Sequence, residues 1–243
     1  RGRTLGDIIE DCQDSWSDDE PDEVMPVNQR LEIFLKVCDA IYYAHSRGVI
    51  HRDLKPDNIM IGPFGEVYVM DWGIARVIDF ADDDLDAEGA LIGTLGYMAP
   101  EQARGDIDQV RGHSDQYSLG MILFELITLG KAMKDGSVPD LYRRSLRGQM
   151  NPIQHFVPKR PIRRELKAII AKATETEIKD RYDSVDDFAE DIRHFLREEP
   201  VEAEPDPFFE RIKRWVYRNR TLAIGLFFMV LLLALGTNLF NVQ

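Results

Sequence analysis

The sequence predicts a mainly α-helical domain with one small β-hairpin, followed by a linker and a single C-terminal transmembrane helix. Three observations carry this. Apolar residues recur at spacings of three and four over several stretches. Two short strand-like runs, Ile59 to Ile61 and Glu66 to Met70, flank the turn signal Gly62-Pro63-Phe64-Gly65. From Thr221 to Gln243 there is no charged residue. With 243 residues, 44% of them hydrophobic, the chain is long enough for one sizeable core and an appendage.

Thr4 to Glu10 reads as a short helix, and Asp11 to Met25 as an acidic loop without a clear period. From Asn28 onward, Leu31, Phe34, Leu35, Cys38, Ile41 and Tyr42 line one face of a long amphipathic helix that stops at Gly48. The hairpin follows. Antiparallel pairing brings its open ends together, so Asn58 before the first strand and Asp71 after the second are expected to meet. Ser114 to Thr128 opens on a residue suited to cap a helix and is apolar almost all round, which predicts a buried central helix. Arg164 to Thr174 is amphipathic through Leu166, Ile169, Ile170 and Ala173. Ser184 opens the next helix, with Asp187 where a capping box usually has Glu, and its face is Val185, Phe188, Ile192, Phe195 and Leu196. Glu198 to Pro207 carries three prolines and several acids and reads as a linker. The expected divisions are a lobe over 1–197, an acidic linker over 198–210, a basic juxtamembrane segment over 211–220 and a span over 221–240.

The net charge of −13 argues against nucleic acid as a partner. Most of the acid lies in runs that read as solvated loops. The two cysteines, Cys12 and Cys38, show no metal-ligand spacing and suggest no disulfide, which fits a reducing compartment. Cys38 belongs to the apolar face of its helix. Leu222 to Phe240 is about 19 residues, or about 28 Å of helix, against a hydrocarbon core of about 30 Å. Arg211, Lys213, Arg214, Arg218 and Arg220 crowd its N-terminal side, with Trp215 and Tyr217 among them. Basic flanks stay in the cytoplasm and aromatic residues sit at the interface. These features predict a single-pass protein of the cell membrane with its folded domain in the cytoplasm.

Three short segments carry a resemblance. His51-Arg52-Asp53-Leu54-Lys55-Pro56-Asp57-Asn58 fits H-R-D-x-x-x-x-N, Asp71-Trp72-Gly73 is a one-residue variant of D-F-G, and Ala99-Pro100-Glu101 is A-P-E. Their order and rough spacing are those of protein kinases. From about Arg1 to about Leu196 the chain resembles the C-terminal lobe of eukaryotic-type (Hanks-type) serine/threonine protein kinases. The wording Tyr97-Met98-Ala99-Pro100-Glu101-Gln102 and the kinase–linker–span order resemble the bacterial membrane-anchored, receptor-like group. No G-x-G-x-x-G-x-V and no V-A-I-K stand before His51. The small lobe is therefore not represented here. The chain is expected to be a fragment that shows little or no kinase activity by itself.

The resemblance implies roles for particular residues. Asp53 accepts the proton of the attacking hydroxyl, and Lys55 balances the charge of the transferred phosphoryl. Asn58 and Asp71 hold Mg²⁺ or Mn²⁺. Lys55, Asn58, Met60 and Asp71 contact ATP, with Met60 at the floor of the adenine pocket. Gly73 gives the metal loop its backbone freedom. His51 packs beside Trp72, which stands where Phe is usual. Thr94 bridges Asp53 and Lys55, Glu101 pairs with Arg181, and Asp115 receives backbone N–H groups of the catalytic loop.

Arg52 commonly binds a phosphate on the activation segment in this family. Between Gly73 and Gly93 the chain has no Ser, Thr or Tyr, but it has Asp79, Asp82, Asp83, Asp84, Asp86 and Glu88. A fixed carboxylate could replace that phosphate, the alternative being a solvated acidic loop. The function implied is ATP-dependent phosphorylation of protein Ser and Thr hydroxyls in membrane-linked signalling. Protein substrates and the membrane are the expected partners, and a dimer of the full-length protein is compatible with the resemblance. The alternative is a pseudokinase or a membrane-anchored scaffold, against which Asp53, Lys55, Asn58 and Asp71 are all present.

Overall fold

The computed structural model describes residues 2–15, 25–72, 94–133, 136–158, 160–205 and 225. A short strand, β1 (Arg3–Thr4), leads directly into α1 (Leu5–Asp14), and α2 (Val27–Ser46) runs to the catalytic-loop segment. A 3₁₀ turn over Pro56–Asn58 opens into β2 (Ile59–Ile61), which returns through β3 (Val67–Val69). Beyond residue 93 come the short helix α3 (Pro100–Ala103), the central α4 (Gly112–Thr128), then α5 (Val138–Leu146), α6 (Arg164–Ala173) and α7 (Val185–Leu196). The fold is mostly helical, as the periodicity predicts.

Helix α4 is the hub of the core. Every residue from Ser114 to Thr128 is buried, so this helix has no solvent face. Helix α2 packs on α4 and α7, and α6 packs on α4 and α7. On α2 the expected Leu31, Phe34, Cys38 and Ile41 are buried, Leu35 is partly buried, and Val37, not expected on the stripe, is buried with them. Tyr42, expected on that stripe, is 45% exposed. It lies one helical step beyond Ile41, at the edge of the buried face. Gly48, at φ +76°, ends the segment in the left-handed conformation that glycine adopts at little cost.

The hairpin is present, and a third strand extends it. Among the described residues the sheet order is β1-β2-β3, all antiparallel, with Thr4 opposite Met60 and Met60 opposite Tyr68. Two residues carry no detectable period, which is why β1 escapes a pattern reading. Helix α1 is also longer than expected. Thr4 Oγ1 accepts the Asp7 N–H at 3.1 Å, and Asp7 Oδ2 accepts the Thr4 N–H at 2.8 Å, which closes a capping box. The buried row Leu5, Ile8, Ile9, Cys12 then carries the helix to Asp14, through acids read as loop from their charge alone. Helix α4 begins at Gly112 rather than at Ser114, whose hydroxyl is engaged elsewhere, as described below.

The packed lobe also reaches past residue 197. The stretch expected as a linker starts as a strap docked on α7. Val201 is buried, and the two oxygens of Asp191 accept the N–H groups of Glu202 and Ala203 while also receiving the Tyr182 hydroxyl. Lys172 pairs with Glu202 and Arg164 with Glu204, each at 2.7 Å. Asp191→Ala removes a buried acceptor from three donors, at a cost of about 1–3 kcal/mol. The variant is expected to be cut by a nonspecific protease within 198–205 about tenfold faster than the parent. Equal cleavage would return the strap to the status of a free tether.

Gly73, the acidic run from Asp79 to Glu88, and Thr221 to Phe240 apart from Gly225 lie outside the described residues. Among the described residues no helix is long and apolar enough to cross a membrane.

Candidate active site

The site is built on the loop between α2 and β2. Asp115, at the start of α4 and buried, organises it. Its Oδ2 accepts the His51 N–H and its Oδ1 the Arg52 N–H, each at 2.8 Å. His45 Nε2 lies 2.7 Å from the same Oδ2. One carboxylate thus ties the end of α2, the catalytic loop and α4 together. Arg52 takes a φ of +69°, strained for a residue with a Cβ, and its side chain is exposed.

Asp53, Lys55, Asn58 and Thr94 converge. Thr94 Oγ1 donates to Asp53 Oδ1 at 3.1 Å and accepts from Lys55 Nζ at 3.4 Å. Lys55 Nζ is 3.6 Å from Asp53 Oδ2. Asn58 Nδ2 donates to the Asp53 carbonyl at 2.7 Å and to Asp53 Oδ2 at 3.2 Å. Asp53 is about one-third exposed and the Lys55 side chain 18% exposed, so both remain within reach of solvent while fixed by neighbours.

Asp71 is delivered by the hairpin. The Met70 N–H donates to the Asn58 carbonyl at 2.8 Å, which carries the pairing one step past Ile59–Val69. The Met70 carbonyl takes the His51 Nε2–H at 2.9 Å. His51 Nδ1 in turn accepts the Asp53 N–H at 3.3 Å, so the ring carries its proton on Nε2. Both backbone groups of Met70 are therefore anchored on the catalytic loop, and Asp71 follows at φ +53°, exposed. The Trp72 ring lies 4.8 Å from the His51 ring, and its Nε1–H finds the Val69 carbonyl at 2.9 Å. That bond answers the polar demand an indole makes where a phenyl makes none. Met60 is half-buried on the opposite face of β2 from the buried Ile59 and Ile61.

Glu101 and Arg181 form a separate clamp. Arg181 Nη1 and Nη2 donate to the two Glu101 oxygens at 2.9 Å each, and both side chains are fully buried. The Ser114 hydroxyl donates to Glu101 Oε1 at 2.8 Å. Burial alone would raise the Glu101 carboxyl, but the Arg181 hydrogen bonds and charge outweigh it and hold it below the ordinary value. Glu125 shows the opposite balance. Burial pushes its carboxyl up, and Lys131 at 3.7 Å, the Ala132 N–H and the Tyr97 hydroxyl only partly offset this.

Sequence reasoning missed His45, Ser114 and Gln102. His45 had a signal: it continues the α2 stripe one turn beyond Ile41 as a polar residue on an apolar face. Ser114 was read as a cap. Gln102 stands three residues after Ala99, as a capping glutamine does, but nothing in the sequence tells what else it reaches.

A family model described as protein kinase domain matches residues 8–194. The chain is similar to the serine/threonine-protein kinase PknD of Protochlamydia amoebophila, 35% identical over 181 residues, which cover 68% of this chain and 18% of that relative. It is similar to the serine/threonine-protein kinase PknB of Mycobacterium leprae, 37% identical over 205 residues, 83% of this chain and 30% of the relative. For PknB of Mycobacterium tuberculosis the identity is 35% over 179 residues, 74% and 28% of the two chains. This chain therefore spans less than a third of the length of these relatives.

Proposed function

Since this chain belongs to the protein kinase domain family, we propose that the protein containing it transfers the γ-phosphoryl group of ATP to serine and threonine hydroxyls of protein substrates. The observation that carries the reading is the set formed by Asp53, Thr94, Lys55 and Asn58. It gathers an ammonium group and an amide around one carboxylate: Asn58 donates to Asp53, Lys55 Nζ lies 3.6 Å from it, and Thr94 bridges the two. The relatives whose names specify serine/threonine kinases support the choice of acceptor.

In this reading Asp53 accepts a hydrogen bond from the incoming hydroxyl and turns its oxygen toward the phosphorus. Lys55 faces the transferred group and offsets its charge. Thr94 keeps these two side chains at working separation. The Asn58 amide nitrogen is spent on Asp53, which leaves its oxygen as the atom to meet a cation, together with the carboxylate of Asp71, two residues past β3. Oxygen donors of this kind suit Mg²⁺ or Mn²⁺, and the bound ion neutralises phosphate charge. Met60 takes the adenine, and His51, bonded to the Met70 carbonyl and packed against the Trp72 ring, braces the residues on either side of Asp71. Thr221 to Phe240 serves as one membrane span, supported by its lack of charge and its basic N-terminal flank, with the kinase domain on the cytoplasmic side.

The test is label transfer from γ-labelled ATP by the full-length protein to serine- and threonine-containing peptides. Transfer is expected with Mg²⁺ or Mn²⁺ and is expected to cease on chelation. Asp71→Asn is expected to lower the rate at least about 100-fold, because it removes the charge of a proposed metal ligand. Absence of transfer, or transfer indifferent to chelator, would sink the reading.

A further inference from the structure

Gln102 uses one amide for two partners. Its Oε1 accepts the Ala99 N–H at 3.2 Å and so caps the start of α3. Its Nε2 donates to the Arg52 carbonyl at 2.9 Å, 50 residues away in the chain. Arg52 is the strained residue of the catalytic loop, at φ +69°. Its N–H is held from α4 by Asp115, and Gln102 holds its carbonyl from α3. The next N–H, that of Asp53, is taken by the His51 ring. Two helices and the loop's own His51 ring thus grip the two peptides that flank Arg52, and these peptides set the direction in which the Asp53 side chain leaves the backbone. Only glutamine, at this length, supplies both an acceptor for Ala99 and a donor for Arg52. Glutamate supplies the first and opposes the second.

We propose that Gln102 is a positioning residue for Asp53, coupling α3 to the catalytic loop through the Arg52 carbonyl. Asp53 is the reacting group only under the phosphoryl-transfer reading above, on which the kinetic part of this proposal rests.

Gln102→Glu and Gln102→Met in the full-length protein separate the two uses of the amide. Gln102→Glu keeps the acceptor for Ala99 but sets oxygen against the Arg52 carbonyl. Gln102→Met removes both bonds without repulsion. The expected result is that Gln102→Glu loses about tenfold in kcat at unchanged KM for ATP and unchanged Tm, and that Gln102→Met loses less. Amide exchange in the His51–Lys55 peptide should accelerate about tenfold in Gln102→Glu. A residue that merely caps α3 gives the reverse order, with Gln102→Glu equal to the parent and Gln102→Met the worse. That order overturns the proposal, as does unchanged exchange in Gln102→Glu. The exchange measurement needs no turnover. If the parent protein transfers no phosphoryl group, the functional reading falls, and the exchange rates still decide what Gln102 holds.

Discussion

Asp53→Asn in the full-length protein is expected to lower kcat by about 10²–10⁴-fold, the usual yield of a positioned acid or base, while KM for ATP stays within about twofold. The substitution keeps the shape of the side chain and removes its negative charge. In the parent, Oδ1 receives the Thr94 hydroxyl and Oδ2 faces two donors, the Asn58 amide and the Lys55 ammonium group. An asparagine must turn its NH₂ toward one of these sets of donors. That conflict costs about 1 kcal/mol of local hydrogen bonding, far less than the loss in rate. Tm should therefore move by a few degrees at most. Activity within tenfold of the parent would show that the hydroxyl is steered by another group, and the roles given to Thr94 and Lys55 would fall with it.

Arg181→Ala is expected to destabilise the fold by about 3–5 kcal/mol, the cost of breaking a buried ion pair from one side. Every N–H of this guanidinium is used. Nε donates to the Glu175 carbonyl at 2.7 Å, Nη1 to Glu101 and to the His113 carbonyl at 2.9 Å each, and Nη2 to Glu101 at 2.9 Å and to the Thr176 carbonyl at 3.3 Å. Its Cζ also lies 5.0 Å from the centre of the Tyr117 ring. A lysine at 181 could satisfy only part of this set, so Arg181→Lys should recover less than half of the loss. The measurement is the urea midpoint of each variant at pH 7.

The same pair predicts a pH dependence. The Glu101 carboxyl is held below its ordinary value of 4.5 in the folded chain. Its contribution to stability is therefore fully present above that value and is lost as pH falls through the lower, folded one. Removing Arg181 leaves burial as the dominant influence, which reverses the sign: Glu101 then titrates higher in the folded state and loses stability as pH rises. Urea midpoints between about pH 3 and pH 7 should show the parent losing this contribution in acid and Arg181→Ala gaining on the parent there. Parallel curves would mean that the clamp does not set the protonation of Glu101.

The periodic helices were legible because burial on one face leaves a record at three and four residues, which α2, α6 and α7 carry, and α4 was legible because it is apolar almost all round. The proximity of Asp53, Lys55 and Asn58 was legible because they sit within six residues of one another on one turn, where local geometry decides proximity. The extension of α1 was hidden by charge. Its acids lie on the outer face, while Ile8, Ile9 and Cys12 keep the buried row. The strap at 201–204 was hidden by composition. Prolines and acids suggest a solvated tether, but backbone N–H groups bind a buried carboxylate regardless of the side chains that follow them.

By itself the sequence determined the kinase-like segments at 51–58, 71–73 and 99–101, the order in which they occur, and the helices and hairpin around them. Only the tertiary structure decided who holds them. His45 and Asp115, Gln102 and Arg52, Ser114, Glu101 and Arg181, Asp191 and the strap are pairings made across the fold, several of them over dozens of residues. Hydrogen bonds of that kind have no period and leave no local trace. Several of these partners are chosen by packing around α4, whose burial on every side withholds water from the polar groups near it.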